Sequence, residues 1–478
     1  MKKWWGRRPG LRVRSGFRLP ITALIPICLA ALLVGATGRP PLIDAARNGD
    51  TEALRTLLQK KADVNATEGD GSTALHWASY RDDLESAKQL LRAGAKVNAA
   101  NDLGATPLWA ACQNGSEAMV KLLLDSGANP NAALLAGETP LMVAARAGKT
   151  AVAELLIAKD ANVNAHATRG QTVLMWAVAQ KHPEVVKVLL AHGVDFRART
   201  ETWSEVMALP PHGYLEYNRA IPHGKDTALL FAARVDDLES AKLLVAAGAD
   251  VNDADAWGVS ATTLAAHSDF EDMVEFLLEK GADPNAAAAG FSAIHAAVMH
   301  RDEKMVAALL AHGADPNAPL KTWTPTRRSS HDFNFAPELV GATPFWLAAR
   351  FNSPGIMRLL VKAGADPLFV HHAEHVVEGR GGKEYETRRD ATTALMAAAG
   401  MGGGTAWERL DRARRDALSL EAAQLALELG VDINAANTDG RTALDGARVS
   451  KFDSVVKFLT EKGARSSGKA PPPVTSEF

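Results

Sequence analysis

Apolar residues along this chain come in a repeating two-part pattern. In residues 104–131, Leu108, Ala110 and Ala111 form a narrow apolar face, and Val120, Leu123 and Leu124 follow at helical spacing. This spacing predicts two short helices packed back to back. Thr106 stands where a hydroxyl caps the first helix, and Pro107 at the first helical position gives up only an N–H that had no partner. Gly127 ends the second helix in the left-handed region that glycine enters at no steric cost. The same ending returns as Gly94-Ala95, Gly248-Ala249-Asp250-Val251-Asn252, Gly281-Ala282-Asp283-Pro284-Asn285 and Gly313-Ala314-Asp315-Pro316-Asn317. A pair of such helices cannot bury its apolar face alone, so the pattern predicts a stack.

The opening signature returns eleven times, most often at intervals of 33 residues, as at Thr73, Thr106, Thr139 and Thr172. Its cleanest copies are Thr106-Pro107-Leu108-Trp109-Ala110-Ala111 and Thr139-Pro140-Leu141-Met142-Val143-Ala144-Ala145. A period and signature of this kind resemble the ankyrin-repeat family, over nearly everything from Pro40 to Ala464. The resemblance implies an all-α ankyrin-repeat solenoid of about eleven helix-turn-helix units with short β-turn or hairpin fingers. The first unit, opening at Pro40, and the last, opening at Thr442, depart from the signature as capping units do. His76 and His295 fall on the histidine of the family signature, which implies a structural, hydrogen-bonding role. Trp77, Trp109, Trp176 and Trp346 stand three or four residues after the opening Thr and are expected in the packing between units. The family presents side chains on its concave face seven and eight residues after that Thr. Here these include Tyr80, Arg81, Arg146, Arg234, Arg350 and Phe351, and the amides Gln113, Asn114 and Gln180. His267, Met299 and His300 stand at the same positions.

Four intervals are too long, at 55, 51, 50 and 49 residues. The resulting order is regular repeats 1–5 over 37–196, an insertion at 197–224 and repeats 6–8 over 225–317. An insertion at 318–340, repeat 9 over 341–367 and an insertion at 368–389 follow. Repeats 10–11 over 390–464 carry a fourth insertion, 401–418, between two helices of one unit. Its Gly402-Gly403-Gly404 reads as a flexible joint leading to a charged helix on the other edge of the stack. The first three insertions lengthen the fingers, and insertions in a repeat array gather on its binding face. They carry Trp203, Tyr214 and Tyr217, then Trp323, Phe333 and Phe335, with Arg327, Arg328 and His331 nearby, and later Tyr385. Aromatic and arginine side chains of this sort make interface anchors. We therefore expect Trp203, Tyr214, Tyr217, Trp323, Arg327, Arg328, His331, Phe333 and Phe335, with Arg146, Arg234, Arg350 and Phe351, to bind a partner protein.

Charge and the chain ends shift the picture in one respect. Residues 1–36 hold no acidic residue: seven basic residues end at Arg18, and an apolar run from Leu19 to about Gly35 leads to the small-residue site Val34-Gly35-Ala36. This is the plan of a signal peptide, with cleavage after Ala36; an uncleaved membrane anchor is the alternative. Arg7-Arg8 is a poor match to a twin-arginine signal. The resemblance is accordingly to an exported, bacterial-type member of the family, periplasmic or secreted. Without residues 1–36 the chain keeps 46 basic against 55 acidic residues, about −9, which argues against nucleic acid as a partner. Cys112 is then the one remaining cysteine, so no internal disulfide forms. The tail 465–478 is rich in Ser and Pro and is expected to be disordered.

No catalytic motif accompanies the array. There is no Gly-x-Ser-x-Gly elbow, and Gly379-Arg380-Gly381-Gly382-Lys383 lacks the spacing of a phosphate loop. His371-His372-Ala373-Glu374-His375, with His331 and Asp332, supports an alternative, a metal-assisted enzyme built from the His-rich insertions. The leading reading is a noncatalytic protein-binding scaffold acting outside the cytoplasm, with no cofactor, no metal and no catalytic residue.

Overall fold

Each opening threonine does what its position predicts: Thr106 Oγ1 accepts the Trp109 N–H at 3.2 Å and Thr139 Oγ1 that of Met142 at 3.3 Å. In the computed structural model, which describes residues 39–208, 214–324, 334–378, 384–404, 407 and 410–469, these caps begin short helices arranged in pairs. Residues 1–36, expected to direct export, Arg327, Arg328, His331, Asp332, Phe333, residues 379–383 and residues 470–478 lie outside the described residues. Among the described residues no helix is long and apolar enough to cross a membrane.

The chain divides into two compact units. The first, ending at Glu201 and taking in Asp226–Ala249, holds six helix pairs. They are α1 (Pro41–Asn48) with α2 (Thr51–Gln59), α3 (Ala74–Tyr80) with α4 (Leu84–Arg92), and α5 (Pro107–Asn114) with α6 (Glu117–Asp125). Next come α7 (Pro140–Arg146) with α8 (Thr150–Ile157), α9 (Val173–Ala179) with α10 (Pro183–Ala191), and α11 (Ala228–Val235) with α12 (Leu238–Ala246). The second unit, Thr202–Lys225 with Asp250 onward, begins with hairpin β1 (Trp203–Ala208) and β2 (Asn218–His223). It continues with α13 (Ala261–His267), α14 (Glu271–Glu279), α15 (Ala293–His300), α16 (Glu303–Ala311), α17 (Pro344–Arg350) and α18 (Pro354–Lys362). Hairpin β3 (His371–Glu378) and β4 (Tyr385–Thr392) precedes α19 (Ala394–Ala398), α20 (Arg412–Glu428), α21 (Ala443–Ser450) and α22 (Asp453–Glu461).

Alanine on the first helix of each pair lets neighbours approach closely, and Ala111, Ala144, Ala177, Ala265 and Ala348 are fully buried. The Asn of the Gly-Ala-Asp-x-Asn ending stitches successive repeats. Asn98 Nδ2 donates to Gly127 O at 2.9 Å, and its Oδ1 accepts the Asn129 N–H at 2.7 Å. Asn285 and Asn317 repeat this with Gly313 O and Gly364 O. Where Leu368 takes the place of that Asn the stitch is interrupted, and the third finger follows within three residues; it resumes at Asn434, whose Oδ1 accepts the Arg465 N–H at 2.8 Å.

His76 and His295 are structural. The Ser292 N–H donates to His295 Nδ1 at 3.2 Å, which leaves Nε2–H to donate to Ala318 O at 3.0 Å. His76 does the same between Thr73 N–H and Ala105 O. Burial pushes both imidazoles below their ordinary value, His295 to about 4. Of the four tryptophans expected in the packing, Trp346 is fully buried, whereas Trp77, Trp109 and Trp176 are half-buried. Arg47 lies over Trp77 at 4.7 Å and Arg146 over Trp176 at 4.9 Å. Cys112 is buried, and burial pushes its thiol far up.

Candidate interaction surfaces

The first finger is a hairpin whose first strand alternates. Trp203, Glu205 and Met207 are half-buried, with the exposed Ser204 and Val206 between them. Trp203 pairs with His223 across the strands, and their rings stack at 4.3 Å. Arg219 on β2 reaches the second finger: its Nη1 donates to Thr322 Oγ1 at 2.9 Å, and its guanidinium lies over Trp323 at 4.3 Å. Tyr214 meets Tyr385 of the third finger with ring centroids 5.2 Å apart. The three insertions thus touch one another inside the second unit. Above them Val206 is 72% exposed, Leu215 77% and Tyr385 42%. Of Tyr217 only the backbone is described.

The second finger departs from the expectation. Trp323 and Phe335 are buried, not displayed. Thr324 N–H donates to Phe335 O at 3.0 Å and Phe335 N–H returns to Thr324 Oγ1 at 2.8 Å, which folds the insertion back onto the repeats. Phe335 then packs on Phe291 at 5.3 Å and His295 at 6.4 Å. These two side chains are core of the insertion, and a partner cannot reach them while the finger keeps this fold.

Several concave-face positions are also spent on the protein itself. They sit at the C-terminal ends of the first helices, where unpaired carbonyls of the neighbouring repeat need donors. Asn114 Nδ2 donates to Ser79 O and Tyr80 O, and His300 Nε2 to His267 O at 2.9 Å; Asn352, one residue beyond these positions, donates Nδ2–H to Ala398 O at 3.4 Å. Arg234, expected on the surface, is buried against Asp226 at 2.6 Å. A paired charge of this kind is held inside because leaving either partner alone there is costly. Phe351 is buried as well, and Arg350 donates to Gly403 O at 2.7 Å and Gly404 O at 3.2 Å. Arg146 stays half-exposed beside Glu138 at 3.0 Å, where burial pushes the Glu138 carboxyl up against the pull of that guanidinium. In the first unit Tyr80, Arg81 and Gln113 remain exposed.

His371, His372 and His375 lie on β3, so alternate residues face opposite ways. His371 is buried, with Nε2 on Glu338 O at 2.9 Å and its ring 4.3 Å from that of Trp346; His372 is exposed. Among the described residues no three His, Cys, Asp or Glu side chains come together as a metal site. Strand geometry puts His371 and His375 on one face, but packing fills that face.

The sequence missed two things. Arg219, the link between the first two fingers, carried no motif. The fourth insertion does not leave by the other edge as a flexible joint. Gly402 lies against the Trp346 ring and Gly403 against Glu338, so close that an added Cβ would stand 2.5 Å from either side chain. Trp407 lies further along, against Phe335 at 5.1 Å, His300 at 4.9 Å and His267 at 5.0 Å.

Models of ankyrin repeats match residues 42–134, 132–200 and 220–319, and a single-repeat model matches 340–372, together more than half of the chain. The mitochondrial disaggregases of Bos taurus and Homo sapiens are each 37% identical to it over 94 residues, 20% of this chain. The match spans only 13% of the length of those relatives. Among solved structures, the human ASB11 ankyrin repeat domain is similar at 30% identity, covering 52% of this chain and 100% of that domain, with a TM-score of 0.43. Ankyrin repeat domains are typically noncatalytic modules that bind proteins. With the signature helices, caps and Asn stitches in place, and with family models matching from residue 42 to residue 372, this chain belongs to the ankyrin-repeat family.

Proposed function

We propose that this protein is a noncatalytic scaffold, exported from the cytoplasm, that captures a partner protein on the joined fingers of its second unit. The observation that supports this reading is the contact among the three insertions, through Arg219 with Trp323 and Tyr214 with Tyr385. A plain scaffold has no need of insertions that brace one another. The insertions also expose the apolar side chains Val206, Leu215 and Tyr385 and carry the exposed Glu374–Arg389 pair at 3.0 Å. Exposed apolar and aromatic side chains on the same insertions as charged ones have the composition of a protein-binding surface.

A photo-crosslinker placed at Val206 and, separately, at Tyr385 should capture the same partner in the native compartment. The same group at Leu135, exposed on a fingertip of the first unit, should not. Capture only at Leu135, or of unrelated proteins at the two finger positions, would move the site off the fingers. Arg219→Ala should weaken capture severalfold with little loss of folding, because it releases the first finger from Thr322 and Trp323, contacts that a solvent-exposed arginine makes at about 1 kcal/mol.

Export rests on residues 1–36, whose basic start, short apolar core and Ala36 site support cleavage. N-terminal sequencing of the mature protein is expected to begin at Thr37. Met1 intact on membrane-bound protein would favour the anchor instead.

A further inference from the structure

The inner face of the second unit is already occupied by the chain itself. The insertion that leaves α19 runs back along the first helices of the preceding repeats, against the direction of the array. Gly402 meets Trp346 on α17, and Gly403 and Gly404 offer their carbonyls to Arg350 at the end of that helix. The Gly404 N–H donates to Glu338 Oε1 at 3.2 Å. Trp407 then passes α15 and reaches α13, edge-on to His300 and His267, and its indole Nε1–H donates to Asn334 O at 2.9 Å. Asn334 and His267 are 73 and 140 residues away in sequence.

These are the features of a bound peptide. Its backbone carbonyls are read by an arginine, its backbone N–H by a carboxylate, and one aromatic side chain is seated in a socket of rings with its polar atom satisfied. Glycine is required where the backbone comes closest: Gly402, Gly403 and Gly404 all have positive φ, and a Cβ on Gly404 would stand 2.6 Å from Leu339.

We propose that the inner face of α13, α15 and α17 is a peptide-binding groove, and that Gly402, Gly403 and Gly404 with Trp407 as anchor are its intramolecular ligand. This deepens the scaffold reading and rests on it for biological meaning: a partner segment with a tryptophan anchor has to compete with Trp407 for the socket. The chemistry of the groove stands independently of the fingers.

The test uses the full chain and a fluorescent synthetic peptide with the sequence of residues 400–411. In the native protein the tethered copy competes at an effective concentration of about millimolar. Trp407→Ala empties the socket, so this variant should bind the peptide at least tenfold more tightly than the unaltered chain. A peptide with alanine in place of its tryptophan should lose that gain. If circular dichroism shows that Trp407→Ala fails to fold, Trp407→Phe gives the same comparison with a smaller factor. Equal peptide affinity in the native chain and the folded variants, or no saturable binding in any of them, overturns the proposal. Since no partner protein enters the assay, such a failure leaves crosslinking at the fingers to stand or fall on its own.

Discussion

Replacing Trp346 with alanine is expected to cost the second unit about 4 kcal/mol, the middle of the range for removing a buried aromatic. The size follows from what the indole holds. It is fully buried on α17, and its Nε1–H donates to Thr392 O at 3.1 Å, the residue that ends β4. One face lies 4.3 Å from the His371 ring at the start of β3, and Gly402 lies close against the six-membered ring. Trp346 therefore joins a repeat, the base of the third finger and the segment in the groove. Truncation leaves a cavity that three separate elements would have to close together, and it strips the acceptor at Thr392 of its donor. Urea unfolding followed by circular dichroism reads the effect as a lower midpoint. A loss below about 1 kcal/mol would mean that the finger base collapses into the space and that Trp346 is not the joint described.

The array was legible because its signals are local. Thr106, Pro107 and Gly127 act within a few residues of themselves, so each repeat states its own helices. The Asn stitches were present in the text as Ala-Asp-Pro-Asn, but only the structure shows Asn285 reaching the next repeat. Binding residues were harder to read, because position in the repeat gives direction but not environment. Arg146 and Arg234 occupy equivalent places, yet Asp226 draws Arg234 inside whereas Glu138 leaves Arg146 half-exposed. Aromatics in an insertion carry a similar ambiguity. Tyr385 remains in solvent and Phe335 becomes core, and the decisive difference is the Thr324–Phe335 backbone pairing. The placement of Gly402, Gly403, Gly404 and Trp407 depends on contacts far away in sequence, such as Trp407 with His267, and no periodicity announces such contacts.

Acidification should weaken the array through its signature histidine. His295 is 1% exposed and neutral in the folded protein, because Nδ1 must accept the Ser292 N–H while Nε2–H serves Ala318 O. Burial pushes its pKa down to about 4, against about 6.5 in an unfolded chain. Above pH 6.5 the ring is neutral in both states and contributes no pH dependence. As pH falls below 6.5 the unfolded chain takes up a proton that the folded one refuses, so stability drops by about 1.4 kcal/mol per pH unit. The loss levels off near pH 4, at a total of about 3 kcal/mol by the same linkage. His76, also pushed down by burial, acts in the same direction. Asp269, Asp390 and Glu138, pushed up by burial, act in the opposite one, so the raw pH profile of the protein mixes both signs. His295→Gln isolates the histidine: an amide keeps a donor and an acceptor but does not titrate. Urea midpoints at pH 7 and pH 5 should show the native chain losing about 2 kcal/mol more than the variant over that interval. Parallel profiles for the two proteins would mean that His295 titrates alike in the folded and unfolded chains, and that its burial is relieved before the proton arrives.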